Sequence, residues 1–334
     1  MDKIKGVNLG GWFVLESWMK PSLFSNVQSK DETGFSLQNP NAKNDLIDHW
    51  ETFITKADFL YLKSIGINSL RLPIPWWFQG DAPYFSALPY IHRAMLWATE
   101  VGLDVLLDLH TAPGCQNGFD NGGIEGMISW HLDSKNIKLT VDKLEYIAQT
   151  FSCYSSFWGI EVLNEPHVSI DMQMILDFYS QSYAAIRKHT DKIIVFHDAF
   201  RPTDEAWKEF FTNKNLHHVM FDLHLYHCFD PQLTHGSFDV HIDLLLNKRL
   251  PMILEISKYV DVLIAEWSLG MRYETMNLAE QHDKNTYRKI LADLQLYVYS
   301  HAKGHYFWSY KIESDRLDWD FRKLIEQEIL PNKY

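Results

Sequence analysis

The chain has 334 residues, 46% hydrophobic and 22% charged, ordinary values for a soluble globular protein with room for a large core. A net charge of -12 with no basic run argues against nucleic acid as a partner, and no apolar stretch is long enough to suggest a membrane span. Three cysteines, Cys115, Cys153 and Cys228, show no pairing pattern, which argues against a disulfide framework and fits a reducing compartment.

Met1 is followed almost at once by strand-like IKGVNLGG, without a basic or apolar leader region, so a cytoplasmic location is expected. The first apolar run, 4–9, leads into a polar stretch, 25–48, that reads as a long loop forming a lid or rim. A helix-like segment at 55–65 precedes the run 67–73, and one at 89–101 precedes 104–110. Segment 140–152 precedes the run 157–165. From Asp171 to Thr190, apolar Met172, Ile175, Leu176, Tyr179, Tyr183 and Ile186 follow the helical period. Runs at 192–198 and 219–227 come next, then helical segments at 239–248 and 251–258, the latter opened by Pro251, which a first turn tolerates. The chain closes with the run 260–267, a helix over 277–302, the run 304–311 and a helix over 318–329.

Strands alternating with helices predict a parallel sheet, and eight strands in this length predict one domain over residues 1–334, a closed (β/α)8 TIM barrel. A doubly wound open sheet is the main alternative. NLGGW lacks the GxGxxG spacing that such a sheet usually carries after its first strand.

Polar residues concentrate at the ends of the runs. Arg71 ends the second, His110 the third, Asn164 and Glu165 the fourth, His224 and Tyr226 the sixth, Glu266 the seventh, and Trp308 lies in the eighth. In a barrel those ends open onto one face, where active sites are built. Glu165 and Glu266 are the centre of this pattern: a carboxylate at the tip of an apolar run is costly to desolvate and seldom lacks a task. A pair of them is what acid/base cleavage of a glycosidic bond requires. Period-two alternation puts Asp108 with His110, and Glu161 with Glu165, on one face. The deeper Asp108 and Glu161 then read as partners of Arg71 or of each other. The alternation also separates His224 from His227 within HHVMFDLHLYH, which argues against one metal ion there.

These residues carry a resemblance. GVNLGGWFVLESWMKPSLF, INSLRLPIPWW, LLDLHTAPGCQNGFDNGG, GIEVLNEP, HLYHCF, LIAEWS, YFWSYK and the later DWDF resemble glycoside hydrolase family 5, and within it the exo-β-1,3-glucanase-like branch. The resemblance implies a (β/α)8 barrel and a retaining β-glycosidase working by double displacement without a cofactor. It implies Glu165 as acid/base and Glu266 as nucleophile, with Arg71, His110, Asn164, His224, Tyr226 and Trp308 as the remaining site positions. The branch adds Glu16, Asp120 and Asn121 as glucose hydroxyl ligands, and Phe119 and Phe229 as an aromatic pair at the entrance. The expected partner is a β-linked glucan oligosaccharide or another β-glucoside, and metal is not expected. Other linkages, small aryl or lipid glucosides, endo action, transfer to sugars and binding without turnover are the alternatives. Trp76 and Trp77 read mainly as packing near the second strand.

Overall fold

A computed structural model describes residues 3–230, 233, 237–272, 275–276 and 284–334. Its strands are β1 (Ile4–Asn8), β2 (Ser69–Ile74), β3 (Asp104–Leu109), β4 (Phe157–Glu161), β5 (Ile193–His197), β6 (Val219–His224), β7 (Asp261–Trp267) and β8 (Gly304–Phe307). All pair in parallel, in chain order, and β8 closes on β1 with Gly6 opposite Tyr306. That closure needs the glycine: a Cβ at Gly6 would lie 2.1 Å from the Tyr306 ring. The TIM barrel is therefore borne out, and the open-sheet alternative is not.

The helices are α1 (Glu32–Gln38), α2 (Ala42–Thr52), α3 (Lys56–Ser64), α4 (Leu88–Val101), α5 (Ser134–Phe151) and α6 (Met172–Arg187), then α7 (Glu205–Asn213), α8 (Phe238–Asp243), α9 (Leu250–Ile256), α10 (Lys284–Tyr299) and α11 (Phe321–Glu326). A π-helical segment, Leu244–Arg249, joins α8 to α9, and Pro251 sits in the first turn of α9 as expected. The first part of the helix expected over 277–302, residues 277–283, lies outside the described residues.

Two expectations need correction. The stretch 25–48 is not a plain loop; it holds α1 and the start of α2. Asp31 caps α1 by accepting from Gly34 N at 2.7 Å; Phe35 of α1 is buried, as are Leu46 and Trp50, four residues apart on α2. The α7 helix goes unread in the sequence, although Trp207, Phe210 and Phe211 give it a buried stripe and Asp204 caps it.

Inside the barrel, Leu106, Trp158, Val195, Met220, Leu263 and Tyr306 pack into a plug. Side chains filling the lower barrel leave chemistry to the C-terminal mouth. Among the described residues no helix is long and apolar enough to cross a membrane.

Candidate active site

The floor of the mouth is a buried ionic network centred on Arg71. Its Nε and Nη2 donate to Glu161 at 2.6 and 2.8 Å, Nη1 donates to Asn8 and Glu266 at 2.9 and 2.7 Å, and Nη2 also reaches Asn164 at 2.8 Å. Asp108 lies 3.1 Å from Nη2. Arg71 stands in the middle of β2 rather than at its end, so its long side chain climbs to the mouth while the acidic partners come from β3, β4 and β7. Asp108 and Glu161 are partners of Arg71, as their shared faces suggested. Asp108 also accepts from His110 Nδ1 at 2.5 Å, which turns His110 Nε2 toward the Asn164 amide at 3.4 Å.

Glu266 lies near the end of β7, opposite His224 of β6. It accepts from Arg71 Nη1 and from the Tyr226 hydroxyl, each at 2.7 Å. Tyr226 is held from behind: Arg249, at the end of the π-helical segment, donates to the Leu225 and Tyr226 carbonyls. Glu165 reaches the same place by a different route. Strand β4 ends at Glu161, so the pleat does not orient Glu165; a loop with φ +45° at this residue does. A left-handed backbone at a non-glycine residue is a sign of local strain, held here by surrounding bonds. Asn164 N bonds to Leu109 O at 3.0 Å, and Gln116 Nε2 bridges the carbonyls of His110 and Asn164, each at 2.9 Å.

His224 brings the two glutamates together. Its Nδ1 lies 2.8 Å from Glu165 Oε1 and 3.4 Å from Glu266 Oε2, and its Nε2 lies 2.9 Å from Asp222. Burial opposes a charge on His224, but the carboxylates of Glu266, Asp222 and Glu165 outweigh it and hold the imidazole well above its usual range. Burial likewise pushes Glu165 up, yet the His224 bond and charge carry its carboxyl down to about 2. Burial leaves Glu266 raised, with His224 and Arg71 pulling it back. The two shifts run the same way: in the free pocket they favour a proton on His224 over one on Glu165.

Above this floor, Trp308 is 3% exposed and stacks on His110 with centroids 5.5 Å apart. It follows β8 rather than lying within it. Gly10 makes room for it, since a Cβ there would sit 2.8 Å from the indole. Glu16 accepts from Trp18 Nε1 at 2.8 Å, while its Oε1 is buried without a partner. Burial and the charge of Asp120 hold its carboxyl well above the usual range. Asp120 is raised too, chiefly by burial. Asn121 points its amide to Glu165 Oε2 at 3.4 Å, braced by Asn117 at 3.0 Å. Phe119 and Phe229 are 43% and 69% exposed. Phe229 packs by Tyr226 and Trp319, at 5.6 and 6.1 Å, and makes no ring contact with Phe119 among the described residues. Trp77 is buried, stacks on Tyr84 and donates to Glu32 at 3.0 Å, so it packs behind the pocket.

Sequence reading missed Asn8, Gln116, His197 and Asp222. The rule that found the others covers two of these: His197 ends β5, and Asp222 shares the face of His224. Glu165, His197 and His224 bring possible metal-ligand atoms within 4.8 Å of one another, but their rings are set for hydrogen bonds. His197 Nδ1 accepts from Ala199 N at 2.9 Å, so its Nε2 carries the proton, and His224 Nδ1 donates to Glu165.

The sequence pattern of the cellulase family, glycosyl hydrolase family 5, matches residues 28–314. The chain belongs to glycosyl hydrolase family 5. This family 5 chain is 32% identical over 385 residues to a glucan 1,3-beta-glucosidase of Kluyveromyces lactis, covering 98% of this chain and 88% of that one. It is 32% identical over 376 residues to a probable glucan 1,3-beta-glucosidase A of Emericella nidulans, covering 99% and 90%. Among solved structures, a rutinosidase from Aspergillus niger superposes with a TM-score of 0.83 at 21% identity, covering 98% of each chain. An endoglucanase from the hyperthermophilic Thermotoga maritima superposes at 0.63 and 15%, covering 99% and 97%. These two likenesses concern the fold.

Proposed function

We propose that this family 5 glycosidase is a retaining β-glucosidase that removes single terminal glucose units by double displacement. The observation that carries this reading is the reach of one atom. His224 Nδ1 reaches both carboxylates, at 2.8 and 3.4 Å, so the gap between the two facing oxygens is at most about 6.2 Å, below the ~6.5–9.5 Å that inverting enzymes need to seat a water. Glu266, paired with a permanent cation and a hydroxyl, is the nucleophile that attacks the anomeric carbon. Glu165, paired with a titratable imidazole, is the group that gives and later takes a proton. A bound sugar strips remaining water from the Glu165–His224 pair, which favours its neutral form and passes the proton from Nδ1 to the carboxyl.

Glu16, Asp120 and Asn121 supply carboxylate and amide groups for the hydroxyls of one ring. The unpartnered, buried Oε1 of Glu16 is a polar atom left for a sugar hydroxyl to meet. Trp308 supplies the apolar surface on which a sugar face stacks. The names of the relatives support β-1,3-linked glucose as the natural end group. No cofactor enters the scheme.

Proton NMR on a β-linked glucoside tests it. Retention releases β-glucose first, before mutarotation; α-glucose as the first product overturns the proposal. On a β-1,3-linked oligomer, glucose and the oligomer one unit shorter appear together as the first products, whereas internal fragments appearing first overturn the exo assignment.

A further inference from the structure

We propose that Asp222 is a positioning residue for the acid/base step: it fixes a hydrogen on His224 Nε2, so that Nδ1 is the nitrogen that exchanges a proton with Glu165. This rests on the glucosidase reading above.

Asp222 and His224 stand two residues apart on β6, so both side chains lie on one face of the strand. The β6–β7 register slips between them, and there Ala265 N of β7 donates to Asp222 Oδ1 at 2.8 Å. A slip of this kind re-aims a side chain. The second oxygen, Oδ2, lies 2.9 Å from His224 Nε2, and both side chains are fully buried. The contact is a close ion pair rather than an aligned hydrogen bond, and neither atom has another partner among the described residues. Free active sites often show such loose alignment, which tightens when substrate binds.

The surrounding charges divide into two sets. Arg71 of β2 answers Asp108, Glu161 and Glu266. Asp222 and Glu165 have His224 instead, one at each ring nitrogen. Glu266 of β7 adds a contact of 3.4 Å at Nδ1, and a Glu161 oxygen comes within 4.8 Å of the Asp222–His224 pair. After β5, burial pulls His197 down to about 3 and pushes Asp198 up to about 7, so neither supplies a strong competing charge. Burial pushes Asp222 up as well, but the His224 charge and bond carry it down to about 2. A neutral imidazole keeps one hydrogen. With an anion at Nε2, that hydrogen stays there, and Nδ1 turns a lone pair to Glu165.

In the first step the Nδ1 hydrogen crosses 2.8 Å to Glu165. As the glycosidic bond breaks, its electron pair goes to the departing oxygen, which takes the proton from Glu165, and Glu266 closes on the anomeric carbon. In the second step water adds to that carbon and Glu266 departs with its pair. The proton that water gives up returns through Glu165 to Nδ1. Nε2 keeps its hydrogen throughout.

Asp222→Asn tests this, since it keeps an oxygen for Ala265 N and removes the charge. The proton held between Glu165 and His224 then leaves at lower pH, because the anion that resists its departure is gone. An opposite charge this close is worth about 1–3 pH units, so the basic limb of kcat/KM on an alkyl β-glucoside should move down by that amount. On a dinitrophenyl β-glucoside, whose leaving group needs no proton, the variant should match the native enzyme. An unmoved limb with an equal loss on both substrates marks Asp222 as a strut for β7 and overturns the proposal. Nitrogen-15 NMR of the native protein gives a reading that does not depend on this variant folding. The His224 ring, identified by the signals missing in His224→Asn, should carry hydrogen on Nε2 across pH ~5–8. A bare Nε2 in that range overturns the proposal. Absence of turnover by the native enzyme on both glucosides instead overturns the glucosidase reading, and the ring measurement still decides what Asp222 does to His224.

Discussion

Removing one hydroxyl, in Tyr226→Phe, tests how the nucleophile is kept ionised. The Tyr226 O–H donates to Glu266 Oε2 at 2.7 Å, and Arg71 holds the other oxygen at 2.7 Å. A hydrogen bond to a charged group is worth ~1.5–3 kcal/mol, which corresponds to about 1–2 pH units in the ionisation of that group. The bond favours the charged form, so its loss raises a carboxyl that burial already pushes upward. In the proposed mechanism Glu266 attacks only as an anion. Activity is lost as pH falls through its ionisation, and the acid limb of kcat/KM should move up by about 1–2 units in the variant. The ring remains, and with it the packing against Trp319 at 5.2 Å, so thermal stability should hardly change. The assay is kcat/KM against pH on an aryl β-glucoside for both proteins, with a melting curve at each pH. An acid limb that stays in place, or moves down, would refute the reasoning.

The two glutamates should fail in different ways. Glu165→Ala should cost ~10²–10⁴-fold on alkyl glucosides but little in the glycosylation step of substrates with good leaving groups, read by comparing alkyl and nitrophenyl glucosides. Glu266→Ala should abolish turnover, with partial recovery in azide; recovery in Glu165→Ala alone would reverse the assignment. Glu32 links stability to pH. It is 1% exposed, accepts from Leu15 N and Trp77 Nε1 at 3.0 Å each, and burial pushes its carboxyl up to about 7. Between its unfolded value near 4.5 and about 7 the native state binds the extra proton, so stability falls as pH rises through that window, by up to about 3 kcal/mol. Glu32→Gln should flatten the difference in urea midpoint between pH 5 and 7, and parallel curves for the two proteins would exclude this role.

The barrel was legible because its strands are short, apolar and regularly spaced, and because chemistry gathers at one end of them. Period-two alternation led correctly from His110 to Asp108. It misled at Glu165: the strand stops at Glu161, and the left-handed turn beyond it has no signature in LNEP that alternation can read. His197 and Asp222 sat at positions the same rule covers and were passed over because neither stands in a distinctive motif. Gln116 was hidden for another reason: its work is to bond the main-chain carbonyls of His110 and Asn164, just beyond β3 and β4, and such side chain–backbone bonds leave no pattern in one sequence. The pull of neighbouring carboxylates on His224 is likewise a property of several groups at once, visible only when their distances are known.

The Arg71 guanidinium has a consequence for how the molecule comes to life. It gathers side chains from β1, β3, β4 and β7 onto β2, and its bond to Glu266 joins residues 195 positions apart in the chain. The nucleophile gains its charge partner only after the last quarter of the polypeptide has docked onto the first. A ring still missing β7 would hold an arginine with surplus acids and no attacking group, so partly assembled chains emerging during synthesis are catalytically silent. The appearance of activity during refolding therefore reports the arrival of Glu266 at Arg71, a contact that helical signal does not require.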